Sequence, residues 1–139
     1  MDALSILRQQ YKECNEWLEA TMAGVKPEQA HWEPAGSANP LGATYAHAIM
    51  TQDYVANSAI KGGAPLATTT WADNVGISEP PPTDEITDWS QWARLVQVDL
   101  VALKAYGQAV AASVDQMLAS LTDTELSRRV ETPFGASSV

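Results

Sequence analysis

Cysteine is nearly absent from this chain. Cys14 is the only one, so no disulfide can close within the chain and no paired zinc cysteines exist. Histidine is almost as scarce, with His31 and His47 alone, whereas a catalytic zinc takes about three protein ligands. Basic residues number 8 against 17 acidic ones, giving a net charge of −9. A surface of that sign repels phosphate backbones and anionic headgroups, so neither nucleic acid nor membrane is an expected partner. No run approaches the ~18–20 consecutive apolar residues of a membrane span. The N-terminus lacks the basic and apolar regions of a secretion signal, so the expected location is the cytoplasm. Also missing are a phosphate-binding glycine loop, a Ser-His-Asp arrangement and an HExxH helix.

What is present is apolar: 45% of 139 residues, enough for one packed domain over residues 1–139. Its organising stretch is Asn39-Pro-Leu-Gly-Ala-Thr-Tyr-Ala-His-Ala-Ile-Met-Thr-Gln-Asp-Tyr54. Asn39 suits an N-cap and Pro40 the first helical position, predicting a helix from Pro40 to Ile60, stopped by Lys61-Gly-Gly63. Between Asn39 and Ile60 only Asp53 is ionised, which predicts a helix buried on much of its circumference. His47 inside it either bonds a neighbour, stands half exposed or binds a metal, since a buried unpaired imidazole nitrogen costs about 1–3 kcal/mol. Asp53, six residues on and so about 120° away, reads as a boundary charge.

Before this helix, Leu4, Leu7, Tyr11, Cys14, Leu18 and Met22 recur at three-four spacing and predict a first helix over residues 2–24, ended by Gly24. Cys14 on that stripe reads as a small hydrophobe. In the linker 25–38, Pro27 opens at most a single turn and Trp32 reads as an anchor on the bundle. The glycines and prolines of 62–88 predict a long connection, pinned by Trp71 and Ile77. Asp88 and Gln91 have capping-box spacing. From there Trp92, Val96, Asp99, Leu103, Tyr106, Val110 and Met117 predict one third helix reaching Ser120. Asp99 falls on its inward stripe, where a carboxylate needs a partner. It is a candidate outer-shell residue behind His47, a ligand, the mate of a tyrosine or Arg94, or, if the register is displaced, a carboxylate at the solvent edge. Thr122 and Glu125 repeat the capping-box spacing before a loop-like tail. Three long helices make an all-α bundle. Bundles of this kind usually have four helices, so the sequence predicts a fourth that is missing or supplied by a partner chain.

His31-Trp-Glu-Pro34, Asn39-Pro-Leu-Gly42, Ala46-His-Ala48 and Asp53-Tyr54, followed by Leu118-Ala-Ser-Leu-Thr-Asp-Thr-Glu-Leu126 and Pro133-Phe-Gly135, resemble the DinB/YfiT-like superfamily. The resemblance implies an up-and-down four-helix bundle, often dimeric, with Zn or Ni held by three histidines. One comes from the second helix, where His47 matches it. The other two form an H-x3-H pair on a fourth helix that begins after a Pro-Phe-Gly segment, and that pair is not in this sequence. His31 matches no ligand position. The implied chemistry is thiol transfer or hydrolase-type reaction on a small-molecule thiol substrate, with the metal activating thiol or water. The competing expectation is a metal-free, non-enzymatic bundle that dimerises through the face a fourth helix would cover.

Overall fold

The computed structural model describes residues 2–82, 89–132 and 135–139. Its first helix, α1 (Ala3–Met22), is capped by Asp2, whose carboxylate accepts from the Ser5 N–H at 2.7 Å. It ends where Gly24 takes the left-handed conformation, as the sequence predicts. The inward stripe is narrower than predicted. Tyr11, Leu18 and Met22 pack on the core, but Leu7 and Cys14 are exposed and no α1 residue is fully buried. Cys14 is therefore a surface thiol, not a core hydrophobe. A bidentate ion pair from Arg8 to Asp115, both bonds 2.9 Å, fastens α1 to the last long helix.

A single turn, α2 (Pro27–Ala30), follows Lys26 and fully buries Ala30. Trp32 is 67% exposed, so it does not anchor the linker to the core. That task falls to Arg94, which pairs with Glu33 at 2.9 Å and donates to the Gly36 carbonyl.

The second long helix, α3 (Leu41–Asp53), continues as a π-helical turn over Tyr54–Ile60 and stops at Gly62. Pro40, not Asn39, is its cap: the Pro40 carbonyl accepts the first helical N–H, from Thr44, while the Asn39 side chain turns to Arg94. In the π turn the Lys61 N–H reaches back five residues to the Ala56 carbonyl.

The connection that follows carries a 3-10 turn at Leu66–Thr68 and, as predicted, packs Trp71 and Ile77 on the core. Asp88, half of the predicted capping box, lies outside the described residues. The predicted third helix is two helices, α4 (Trp89–Leu95) and α5 (Leu100–Ser120). Between them Val96 and Val98 are buried and Gln97 is exposed, the two-residue alternation of a strand. Val98 forms an antiparallel bridge with Ile77, and the Asp99 N–H donates to the Gly76 carbonyl at 2.8 Å. Asp99 then restarts the helix as N-cap, accepting from Val101 and Ala102. The three-four spacing ran across this corner by coincidence of two periods.

Glu125 reaches back to the Thr122 N–H at 2.8 Å, as the second capping-box spacing predicts. The tail is a hairpin rather than a loop. β1 (Arg129–Thr132) pairs antiparallel with β2 (Gly135–Ser138), and Val130 turns inward. The architecture is all-α apart from this hairpin, with α1, α3 and α5 as the long helices among the described residues. Its core is Tyr45, Ile49, Leu103, Tyr106, Val110, Val114 and Met117, between α3 and α5.

Candidate functional site

His47 lies on the outer face of α3. It is exposed, where the charge-poor sequence predicts burial, and the buried side of α3 is the opposite one, carrying Tyr45, Ala46, Ile49, Met50 and Asp53. The imidazole stacks on the indole of Trp89 at 4.1 Å between centroids and 15° between planes. Trp89 is held in turn edge-on by Trp92 at 5.3 Å, and the Trp92 indole N–H donates to the Glu79 carbonyl. With one face stripped of water, the imidazole titrates below its ordinary range, so it is neutral at pH 7. Neither ring nitrogen makes a hydrogen bond among the described residues. A neutral imidazole fixed in plane with both nitrogens free is the form that binds a metal.

His31 is the opposite case. Its Nδ1 lies 2.8 Å from the Pro27 carbonyl and its Nε2 accepts from the Val98 N–H at 2.9 Å. A carbonyl can only accept and an amide can only donate, so the ring is neutral with its proton on Nδ1. Both nitrogens are spent on structure.

Asp53 is fully buried. Its carboxylate accepts four hydrogen bonds: Asn57 Nδ2 and Leu66 N at 2.8 Å, Ala67 N at 2.9 Å and the Tyr106 hydroxyl at 2.6 Å. The reading of Asp53 as a boundary charge is therefore wrong. The 120° offset from His47 holds, but it is His47 that faces out and Asp53 that faces in. Burial first, and then the bond to Asp53, pushes the Tyr106 phenol well above its usual range. Asn57 extends the network to Ser113 and Lys61. A usable signal was present: Asp53, the one formal charge of this helix, has Asn57 one helical turn away.

Asp99, the predicted outer-shell carboxylate, is exposed, and the hydrogen bonds its side chain makes cap α5; none joins it to His47. Two open surface clefts, of about 630 and 520 Å3, lie elsewhere. One is between α1 and α5 around Arg8 and Asp115, and the other is at the Gly76–Asp99 corner.

The sequence profile of the DinB superfamily matches residues 10–139. The chain belongs to the DinB superfamily. Among solved structures, a crystal structure of a conserved protein from Enterococcus faecalis is similar, with a TM-score of 0.72 and 19% identity. The match covers 93% of this chain and 76% of that one, and shows a shared fold. No curated protein matches.

The donor set of this DinB chain does not by itself fit a metal centre. Among the described residues no three His, Cys, Asp or Glu side chains are grouped to hold an ion. His31 is committed to the backbone, Asp53 to four donors and Asp99 to its cap, so His47 alone has donor atoms to offer from this group. No helix of the described residues is long and apolar enough to cross a membrane.

Proposed function

We propose that this DinB-type bundle supplies one imidazole, His47, to a divalent metal centre of the Zn or Ni kind whose other ligands come from outside the described residues. The observation that carries the reading is the contrast between the two histidines. His31 spends both nitrogens on backbone partners, whereas His47 is neutral, held flat by Trp89 and unpaired among the described residues. In this family such an ion serves thiol transfer or hydrolase-type reaction, lending Lewis acidity to a small-molecule thiol or to water. This chain's own part is to orient the ring and to keep water from one of its faces. One ligand does not complete a coordination sphere, so no catalytic step follows from these residues alone.

Metal content of the purified protein, read by elemental mass spectrometry beside His47→Ala, tests this. Stoichiometric Zn or Ni in the parent and less than about a tenth of it in the variant is the expected result, since one lost ligand removes at least about tenfold in affinity. Absence of metal from both proteins rejects the metal centre.

A specific feature favours a second reading, a metal-free homodimer. Helix α1 buries no residue completely, and Trp17 stands 78% exposed on it. An apolar dimer would elute at the same volume with and without chelator in gel filtration. A dimer bridged by metal would fall apart with it.

A further inference from the structure

His31 joins two parts of the fold through one titratable ring. Its Nδ1–H donates within its own turn, to the Pro27 carbonyl, and its Nε2 receives the Val98 N–H from the corner between α4 and α5. Val98 is buried there and bridged to Ile77. It also sits hard against the start of α3: a Cβ built on Gly42 would stand 2.6 Å from Val98 Cγ2 and 3.2 Å from the Ala30 Cβ. The same corner ends α4 through the Val96 N–H to Trp92 carbonyl bond, and α4 carries Trp89, the indole stacked on His47.

We propose that His31 is a proton-operated clasp: neutral, it seats the α4–α5 corner on the start of α3 and so keeps Trp89 over His47; protonated, it lets that corner go. The physical reason is donor and acceptor count. A neutral imidazole offers one N–H and one lone pair, which is what Pro27 and Val98 require. Protonation at Nε2 turns the lone pair into a second N–H aimed at the Val98 N–H, and two donors cannot share a bond. The Pro27 bond survives, because Nδ1 donates in both forms. The break therefore falls on the contact between elements and spares the one within the turn.

The charged groups on the surrounding elements leave this logic intact. The α2 turn carries Glu28, with Lys26 before it; the linker carries Glu33, paired with Arg94 of α4; and the corner carries Asp99, which caps α5. The first two turns of α3 hold Tyr45, whose hydroxyl is bonded to Glu19, and His47, which lies on the outer face against Trp89. None of these forms an ion pair with the His31 ring. The clasp concerns the corner and Trp89 and holds whether or not His47 binds metal.

Amide hydrogen exchange of the full chain at pH 8 and pH 5, with rates corrected for their intrinsic pH dependence, tests the clasp. The Val98 amide is expected to lose about tenfold in protection on acidification, while the Val110 amide, buried in the middle of α5, keeps its own. His31→Gln puts an amide oxygen where Nε2 accepts but does not titrate, so it is expected to hold Val98 protected at both pH values. Equal protection of Val98 at both pH values in the parent overturns the proposal, and so does the same loss in His31→Gln. The nitrogen shifts of the ring supply a readout that needs no variant. A proton on Nδ1 at pH 8 is expected, and a proton on Nε2 there overturns the clasp.

Discussion

Asp53 and His47 sit six residues apart on one helix and have opposite environments. Asp53 is sealed under Leu66, Ala67 and Tyr106, and its four donors replace the water it gave up. Asp53→Ala leaves two backbone N–H groups, an amide and a phenol facing an empty site. The expected loss is on the order of 3 kcal/mol or more, read as a fall in the urea midpoint. Tyr106→Phe removes one of the four donors and is expected to cost about 1–2 kcal/mol. If the two variants unfold at the same urea concentration, Asp53 is not the hub. At this scale the sequence was misleading for a physical reason. Scarcity of charge marks a helix as buried without saying which side is in, and a histidine and an aspartate 120° apart cannot both face the core. Choosing His47 as the inward residue put Asp53 outside. The Asp53–Asn57 spacing was the signal for the reverse.

Helix boundaries were legible where a side chain or a glycine sets them, as at Gly24, at Lys61-Gly-Gly63 and at Thr122–Glu125. They were not legible at the corner between α4 and α5. There Val96, Asp99 and Leu103 keep helical spacing while Val96 and Val98 also keep strand spacing, and the bridge to Ile77 decides between them. That bridge is a long-range contact, which local periodicity does not contain. The corner also depends on Gly76, which has φ +88 and whose added Cβ would lie 2.7 Å from Leu103 N and 2.8 Å from the Asp99 carbonyl. Gly76→Ala meets backbone on two sides in a conformation L residues rarely adopt, so the expected cost is about 2–3 kcal/mol. Gly107→Ala, within α5, meets only the flexible end of Ile49 at 2.9 Å, and the expected cost is below about 1.5 kcal/mol. Thermal unfolding of the two variants side by side checks the ranking. A Gly107 variant less stable than the Gly76 variant would reject it.

For the whole molecule, the pH profile of stability follows from shifts of both signs. Asp2, Asp115 and Glu125 are held below the usual carboxylate range, by the Ser5 N–H, by Arg8 and by the Thr122 N–H. Groups depressed in the folded state stabilise it above their unfolded values and lose that contribution as pH falls below about 4. His47, lowered by burial, adds a loss that begins as pH drops below about 6.5. On the alkaline side burial, and secondarily the Asp115 charge, pushes Tyr11 up to about 12. Tyr45 and Tyr106 are raised as well. Groups raised in the folded state leave stability intact below their unfolded value, near 10, and withdraw it as pH climbs above. Urea midpoints are therefore expected to be flat between about pH 7 and 10 and to fall on both flanks. A maximum near pH 5 would contradict this.

The five tryptophans have an optical consequence. Trp17 and Trp32 stand mostly in water, Trp71 and Trp89 are half-covered, and Trp92 is buried with its N–H bonded to Glu79. An indole in water emits at longer wavelength than one in a dry interior, and unfolding moves only the covered ones toward the red. The native spectrum already carries two red emitters, so the shift on unfolding will be small and broad. An event confined to Trp89 will be one part in five of the signal. A dissolved quencher will silence Trp17 and Trp32 first, leaving light that comes mostly from the indoles beside α3 and α4.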